Sequence, residues 1–367
     1  MKVNILSQFN YPFRKIVDLG FLLGVLLLPL QAQAQADQNS PQGDSVEAGL
    51  RLVTSPLPIS LVTEPGTSIS TDLKVKNGGT GEERLQVTLM KFKAYEASGK
   101  PQLLEREAGD DFLDWVHFSE SSFTIAPNEW KTITATFNVP ETASFGYYYA
   151  FVFSRTGEET VLKEKETAIV GGTAVLVLLE ARVPNALRQV EVAEFSLDKK
   201  FYEFLPATFS VVLKNSGNVH VAPRGNIFID RGTTHDVAIL EINHEKGSLL
   251  PQSNRVFETV WEDGFPLYVD KIEDGKVVRD EEGNIIQTLK WDWNNASKLR
   301  FGKYTAKMLL IYDDGQRDIP IEGEVSFWVI PWRIILGMLA LALFAFLGVR
   351  STLQNIWRKI AKKNTVS

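Results

Sequence analysis

The side chains able to do chemistry in this 367-residue chain are few and scattered. The chain has no cysteine, and its four histidines show none of the short spacings of metal-ligand pairs: His117, His220, His235 and His244. His235 precedes Asp236, but adjacent residues of a strand point to opposite faces, so this pair predicts no shared site. No Gly-x-Ser-x-Gly motif offers an activated serine. We therefore predict no catalytic residue, no metal site, no cofactor and a protein that is not an enzyme.

Carboxylates occur in pairs in three short stretches, "GDDFLD" (109–114), "RDEEGN" (279–284) and "YDDGQ" (312–316). Each stretch carries a turn signal, where Asp and Asn side chains satisfy backbone groups. None has the ligand spacing of a helix-flanked calcium loop. Hydrolysis of a wall glycan needs two carboxylates fixed a few ångströms apart, and it is the least favoured of the functions considered.

Aromatic side chains are the stronger candidates for binding. In "SFGYYYAFVFS" (144–154) one strand parity carries four of them, and a later stretch adds three more. The candidate contact residues are Tyr147, Tyr149, Phe151, Phe153, Tyr268, Trp291 and Trp293. Two interpretations of the first four stay open: an exposed contact surface, or burial under the segment around Phe112, Trp115 and Phe118. The last three either bind a ligand or cap the core at the base of a hairpin.

The elements that position these residues are strands. From Gly49 onward, short runs of alternating apolar and polar residues are separated by turn signals such as "TEPGT", "KNGGTGEE" and "DDGQ". About 290 residues of this kind exceed one small sandwich. The sequence predicts an all-β exported region.

Three matched stretches indicate that the region contains the same unit twice. "KNGG" at 76–79 matches "KNSG" at 214–217, "APNEWKTI" matches "LPQSNRVF", and "FGYYYA" at 145–150 matches "FGKYTA" at 301–306. We predict two tandem immunoglobulin-like β-sandwiches, at 49–184 and 188–327, the second with a hairpin insert at about 262–298. Aligned in this way, Tyr148, Ala150 and Val152 face the core of the first sandwich.

The ends of the chain predict export and anchoring. Residues 1–36 combine basic residues, a short apolar run and an A-x-A pattern, which is typical of a signal peptide, and 37–48 is a flexible lead-in. Residues 328–349 predict a transmembrane helix, and 350–367 a basic tail with no acid. Positive residues stay inside, so we expect a single-pass cell-membrane protein with its sandwiches outside and its tail in the cytoplasm.

Charge excludes one class of partner. The whole chain is −6, and its ends contribute +2 (1–36) and +6 (328–367), which leaves −14 for the residues between them. An acidic exported region of this size argues against nucleic-acid binding. The expected partners are the lipid bilayer, through the C-terminal helix, and peptidoglycan or another surface protein.

The layout of signal, two sandwiches, membrane helix and basic tail, with "ISLVTEPGTSISTDLKVKNGG" (59–79) in the first sandwich, resembles the WxL-interacting surface proteins of Gram-positive bacteria. The resemblance implies peptidoglycan binding by the first sandwich and protein binding by the second. The insert departs from the family's compact pattern, so no family partner is carried over. The favoured function is a membrane-anchored adhesion or scaffold protein of the bacterial envelope. The alternative is an envelope assembly chaperone or secretion-complex subunit, because a sandwich can lend a strand to a client.

Overall fold

Two β-sandwiches are followed by one long helix, and the predicted all-β fold class is confirmed. The computed structural model describes residues 49–157, 161–162 and 169–364. Its strands lie at 52–181 and 190–329, and each of these ranges forms two main sheets. The predicted signal peptide (1–36) and lead-in (37–48) lie outside the described residues.

The first sandwich places the sheet β1-β3-β8-β6 against the sheet β2-β12-β9-β4-β5, in which β7 also pairs with β4. A short 3-10 helix, Asp111–Trp115, precedes β6. The strands are β1 Leu52–Ser55, β2 Ile59–Thr63, β3 Ser68–Asn77, β4 Glu83–Ala94, β5 Pro101–Leu104, β6 Val116–Phe118, β7 Ser122–Ile125, β8 Trp130–Asn138, β9 Phe145–Arg155, β10 Val161–Leu162, β11 Ile169–Val170 and β12 Gly172–Ala181.

The second sandwich places β13-β15-β18 against β14-β24-β23-β16-β17, and the insert forms the separate pairs β19-β22 and β20-β21. A second 3-10 helix, Trp293–Lys298, closes the insert. The strands are β13 Val190–Leu197, β14 Phe201–Tyr202, β15 Ala207–Asn215, β16 Arg224–Arg231, β17 Thr234–Ile242, β18 Asn254–Trp261, β19 Leu267–Asp270, β20 Ile272–Glu273, β21 Lys276–Val277, β22 Gln287–Lys290, β23 Gly302–Asp313 and β24 Asp318–Val329.

The Lys-Asn-x-Gly stretches have the same structure in both sandwiches. Asn77 and Asn215 are fully buried at the ends of β3 and β15. In each copy the side-chain NH₂ donates to two backbone carbonyls, and the side-chain oxygen accepts from the backbone N–H two residues on. A buried amide with its hydrogen bonds satisfied fixes a turn firmly, so the sequence repeat reflects a repeated structural device.

The third matched stretch is offset by one residue between the copies. The hydroxyl of Tyr147 accepts a hydrogen bond from the N–H of Ser144, and Tyr304 accepts one from Phe301 in the same way. Two residues before each tyrosine, Phe145 and Gly302 both adopt a positive φ. The structural equivalent of Tyr304 is therefore Tyr147, although the letters align it with Tyr148.

This offset reverses the predicted faces of β9. Tyr149, Phe151 and Phe153 are fully buried in the core between the sheets. The other parity, with Ala150 and Val152, lies on the outer side of the sheet and belongs to a separate apolar cluster. The assignment of Tyr148, Ala150 and Val152 to the core face is corrected accordingly, since a one-residue shift moves every side chain of a strand to the opposite face.

The C-terminal helix, α1, spans Trp332–Asn364. Trp328, predicted as the start of the membrane segment, instead belongs to β24, and the helix continues beyond 349 into the predicted tail. The stretch Trp332–Asn355 is long and apolar enough to cross a membrane. Its 24 residues extend about 36 Å at 1.5 Å per residue, which exceeds the hydrocarbon thickness of a bilayer.

Candidate functional site

The four aromatics of β9 predicted as a contact surface lie inside the first sandwich. The ring of Phe118 lies 4.8 Å from that of Phe151, and the ring of Trp115 lies 4.6 Å from that of Tyr147, measured between centroids. The segment found only in the first sandwich thus covers the stripe, which is the second of the two interpretations left open. Tyr149, Phe151 and Phe153 are core residues rather than a contact surface, and Tyr147 is half-buried beneath Trp115.

The outer face of the same sheet is the unusual surface. The pairing registers show which positions of the two sandwiches are equivalent when β9 is matched with β23 and β12 with β24. Ala174 is equivalent to Glu322, Leu176 to Glu324 and Leu178 to Ser326. This face of the second sandwich is therefore polar and exposed to solvent, as is usual for one face of an antiparallel sheet. The first sandwich carries apolar side chains at these positions. An apolar outer face of this kind is typical of a surface that packs against another part of the protein or a partner.

The second sandwich covers part of this outer face. Leu250 packs into the apolar cluster formed by Phe92, Ala150, Val152 and Leu178. This burial joins side chains of both sandwiches in one cluster. The two sandwiches and α1 belong to one compact unit.

A main-chain contact fixes the same interface at the tip of the β4–β5 hairpin. The N–H of Val256, on the edge strand β18, donates to the carbonyl of Ala97 over 2.8 Å. Beside it, the guanidinium of Arg255 donates to the carbonyl of Ser248 at 2.8 Å and lies over the ring of Phe257. Gly99 has a positive φ, and a Cβ there would come within 2.6 Å of Arg255 Nε, so only glycine leaves room for this packing.

A polar patch closes the interface near the linker. Glu180 at the end of β12 is buried and forms an ion pair with Arg188 of the segment between the sandwiches. The imidazole of His220 packs edge-on against the ring of Tyr148. Burial lowers the pKa of His220, while Glu180 opposes and Arg188 adds to that shift. Burial between the two sandwiches thus favours the neutral form of the imidazole.

An open cleft remains beside these contacts. One cavity of about 490 Å³ is lined by apolar side chains of both sandwiches, among them Phe92, Leu176 and Leu250. A second, of about 440 Å³, shares Leu57 and Pro58 with the first and reaches the Glu180–Arg188 pair. The first cavity also carries Lys93, Lys100 and Arg255 against the single carboxylate of Glu245. The cleft therefore offers an apolar floor with a cationic rim.

The strand at the floor of this cleft has one uncovered edge. β12 pairs with β9 over Gly172–Ala181, but β2 pairs with its other edge only over Val177–Ala181. Among the described residues, no strand pairs with that second edge along Gly172–Leu176. These five residues extend roughly 17 Å at about 3.3 Å each. An unpaired edge presents backbone donors and acceptors to an incoming strand.

Two of the three predicted acidic turns serve the backbone. Asp280 accepts from the N–H groups of Glu282 and Asn284, and Asp314 accepts from those of Gln316 and Arg317. Backbone donation lowers the pKa of both carboxyls. Within the described residues, no group of three His, Asp or Glu side chains is placed to hold a metal ion.

The imidazole of His235 contacts Asp230 rather than the carboxylate of its sequence neighbour Asp236. Its Nδ1 lies 3.1 Å from Asp230 Oδ2, and Lys307 Nζ lies 2.9 Å from the same oxygen. The N–H of Asp236 donates to Asp230, and this bond, with Lys307 and His235, holds the pKa of the Asp230 carboxyl far below its usual range. The cluster ties β16, β17 and β23 together on the surface of the second sandwich.

The aromatics of the insert lie away from the cleft. Trp291 and Trp293 stack on each other at 5.8 Å and both contact the ring of Phe265, while remaining exposed to solvent. The hydroxyl of Tyr268 lies 3.1 Å from Glu203 Oε2, and Glu203 pairs with Arg333 at the start of α1. Tyr268 thus lies where the chain enters the helix, and Trp291 follows β22, which pairs with the strand that carries Tyr268.

The cleft was not predicted from the sequence, because the apolar residues of its floor become conspicuous only when β12 is compared with the equivalent strand β24. The apolar Ala174, Leu176 and Leu178 stand out only when β12 is matched with β24 through the pairing register. "TAVLVLLEA" at 173–181 is apolar on both parities, which is typical of a strand covered on both faces. This pattern could have indicated, from the sequence alone, that the outer face of β12 is covered.

No protein-family model matches this chain, and no curated protein matches it. Among solved structures it is similar to the class 5 fimbriae chaperone CfaA, at 13% identity and a TM-score of 0.32, over 66% of this chain and 100% of that one. It is also similar to the YadV chaperone (11% identity, TM-score 0.31, 75% and 99% covered) and to the CupB2 chaperone of Pseudomonas aeruginosa (8%, 0.30, 76% and 100%). At these identities and TM-scores the likeness carries no functional argument.

Proposed function

We propose that this protein is a membrane-anchored holding chaperone that binds an extended segment of an exported client protein in the cleft between its sandwiches. The observation that carries the proposal is the edge of β12 along Gly172–Leu176, with which no strand of the described residues pairs, directly beside the 490 Å³ apolar cavity. A client strand would pair with this edge and place alternate side chains in the cavity, as strand addition requires.

The chemistry of the cleft defines the client. Its floor of Phe92, Leu176 and Leu250 suits apolar side chains. Three cationic side chains on the lining against one carboxylate favour acidic residues beside the apolar ones. The preferred segment is thus extended, alternately apolar and flanked by acids. This description fits the exposed edge strand of an unfolded or incomplete β-domain.

The contacts between the sandwiches preorganise the site. The Ala97–Val256 hydrogen bond, the Glu180–Arg188 ion pair and the packing of Leu250 hold the cleft walls in place without a ligand. Preformed walls reduce the ordering cost that binding must overcome. Binding rather than catalysis is the role proposed for these residues.

The proposed location follows from the ends of the chain. Trp332–Asn355 crosses the cell membrane in this proposal, with the sandwiches outside and the basic residues after Val349 inside. A holding protein tethered in this way meets clients as they emerge from the membrane. Peptidoglycan binding by the first sandwich, which the resemblance implied, is the competing function.

A holding assay tests the proposal. The full chain in lipid nanodiscs is mixed with a urea-unfolded immunoglobulin variable domain as the probe, and aggregation on dilution is followed by light scattering. We expect the wild type to suppress aggregation at near-equal molar ratio. Leu176→Glu should abolish suppression, because a charge enters the apolar floor. The strand itself tolerates glutamate, since Glu324 occupies the matched position of the second sandwich.

The matched control is Leu309→Glu, which places the same charge on the outer face of β23, away from the cleft. It should suppress aggregation like the wild type, and thermal melts should show that both variants are folded. Suppression by Leu176→Glu equal to that of Leu309→Glu would overturn the proposal. Binding of peptidoglycan without any holding of the unfolded domain would favour the adhesion function instead.

A further inference from the structure

Large exposed aromatics gather at the end of the second sandwich where the chain enters α1. They are Phe201, Trp291, Trp293, Phe301, Trp328 and Trp332, and we call this set the aromatic collar. Trp293 is 71% exposed and Phe201 67% exposed. Isolated apolar residues on a surface are ordinary, but a cluster of this size marks a contact surface.

Strand pairing places part of the collar next to the helix. Phe201 pairs with Trp328 near the end of β24, and Gly302 pairs with Val329, the last residue of that strand. Phe301, which precedes Gly302, therefore lies at the same edge. The helix begins at Trp332, three residues after Val329.

The insert is fastened to the same end. The N–H of Tyr268 donates to the carbonyl of Leu205 at 2.9 Å, and its hydroxyl contacts Glu203, which pairs with Arg333 of α1. The N–H of Phe265 donates to the carbonyl of Lys298 and so closes the insert's base. The rings of Trp291 and Trp293 pack on Phe265 and thus join the collar through the base of the insert.

Two cationic side chains flank Trp328 of the collar, while Asp292 lies between Trp291 and Trp293 in the sequence. The carbonyl of Lys200 accepts from the N–H of Trp328, and Lys303 pairs with Trp328 from the other side, so two exposed lysines flank this indole. The exported region carries −14 overall. A local aromatic and cationic face on an acidic body fits an anionic phospholipid surface.

We infer that the aromatic collar docks on the headgroup layer of the membrane that α1 crosses, with the insert as a second point of contact. The inference rests on the membrane span of the proposed function. Tryptophan prefers the headgroup region because its ring is apolar while its N–H keeps a polar partner. Two points of contact fix the tilt of the second sandwich, which a single helix leaves free to vary. Docking then sets the height and direction of the cleft above the membrane.

Single spin labels test the collar, and the absence of native cysteine makes the labelling specific. The full chain is reconstituted into vesicles of phosphatidylcholine and phosphatidylglycerol at three to one. Nitroxides are placed at Asn294→Cys beside Trp293, at Gln316→Cys in the far turn between β23 and β24, and at Leu341→Cys within α1. Accessibility to oxygen and to a water-soluble nickel chelate is then measured.

We expect the nickel chelate to reach the label at 294 several-fold less than the label at 316, with oxygen enriched at 294. Adding Trp291→Ser and Trp293→Ser should restore the accessibility at 294 to that at 316. A label at 294 as accessible as that at 316, with the label at 341 in hydrocarbon, would overturn the collar while leaving the membrane span intact. A label at 341 that reports water would overturn both.

Discussion

The ring of Tyr148 in the first sandwich lies 5.9 Å from the imidazole of His220 in the second, with the two planes at 79°. This edge-to-face contact joins the apolar outer face of β9 to a loop of the other sandwich. It places a titratable group inside the interface that forms the cleft. The position matched to Tyr148 in the second sandwich is Thr305, which faces outward without such a partner sandwich.

Replacing Tyr148 should weaken the interface. Tyr148→Thr introduces the residue of the matched position and removes the ring that contacts His220 and Phe92. We expect the free energy of unfolding to fall by about 1 to 3 kcal/mol, the usual range for truncating a largely packed side chain. Thr305→Ala, in urea titrations of the full chain, should change it by less than about 0.5 kcal/mol. Equal effects of the two substitutions would contradict the interface.

His220 should make the interface sensitive to acid. Its pKa is lowered in the folded chain, while in the unfolded chain it is near 6.5, so the unfolded chain binds the proton more readily. Stability that is present above about pH 6.5 should therefore decrease as the pH falls below that value. His220→Gln cannot take up this proton. Its stability should fall less than that of the wild type between pH 7 and pH 5, as measured by urea titration at each pH.

The one-residue offset predicts which tyrosine the first sandwich needs most. Tyr149 is fully buried, and its hydroxyl donates to the carbonyl of Phe112 at 3.2 Å. Tyr149→Thr leaves a cavity between the sheets and should cost about 3 kcal/mol or more. Thermal melts should rank Tyr149→Thr well below Tyr148→Thr. The reverse order would contradict the offset and support the sequence alignment, in which Tyr148 matches Tyr304.

Replacing either of the two equivalent asparagines, Asn77 and Asn215, should destabilise its sandwich by a similar amount. Asn77→Ala and Asn215→Ala each leave two carbonyls and one N–H without their partner inside a buried turn. Each should lower stability by about 2 to 4 kcal/mol, because buried unsatisfied groups retain their desolvation cost. Asn185→Ala, at an exposed asparagine between the two sandwiches, is the control and should have a small effect. A negligible loss at either buried site, in a denaturant titration, would contradict this account of the repeat.

The fold class could be predicted from the sequence because alternation and turn signals are local properties. The repeat was also visible, since Asn77 and Asn215 perform the same buried task in each copy. The face of β9 could not be predicted, because Tyr147 and Tyr148 are both tyrosine and only the positive φ at Phe145 shows which one matches Tyr304. Parity along a strand depends on a single residue of register.

The cleft could not be predicted because it depends on contacts between distant segments. Leu250, Val256 and Ala97 are ordinary residues in sequence, and only the docking of the two sandwiches brings them together. The insert's Trp291 and Trp293 were recognised as candidates for contact, and the structure adds their packing on Phe265 at the base of the insert. The WxL-type resemblance remains a prediction that peptidoglycan binding would test.

Hydrogen exchange along β12 reports directly whether an extended peptide pairs with its open edge. The full chain in nanodiscs is incubated with a ten-residue peptide of alternating valine and threonine with a glutamate at each end, and with a control peptide carrying proline at alternate positions. We expect slower exchange at Gly172–Leu176 with the first peptide only, and no slowing in Leu176→Glu. Unchanged exchange at Gly172–Leu176 with the first peptide, or equal slowing by both peptides, would contradict strand addition at this edge.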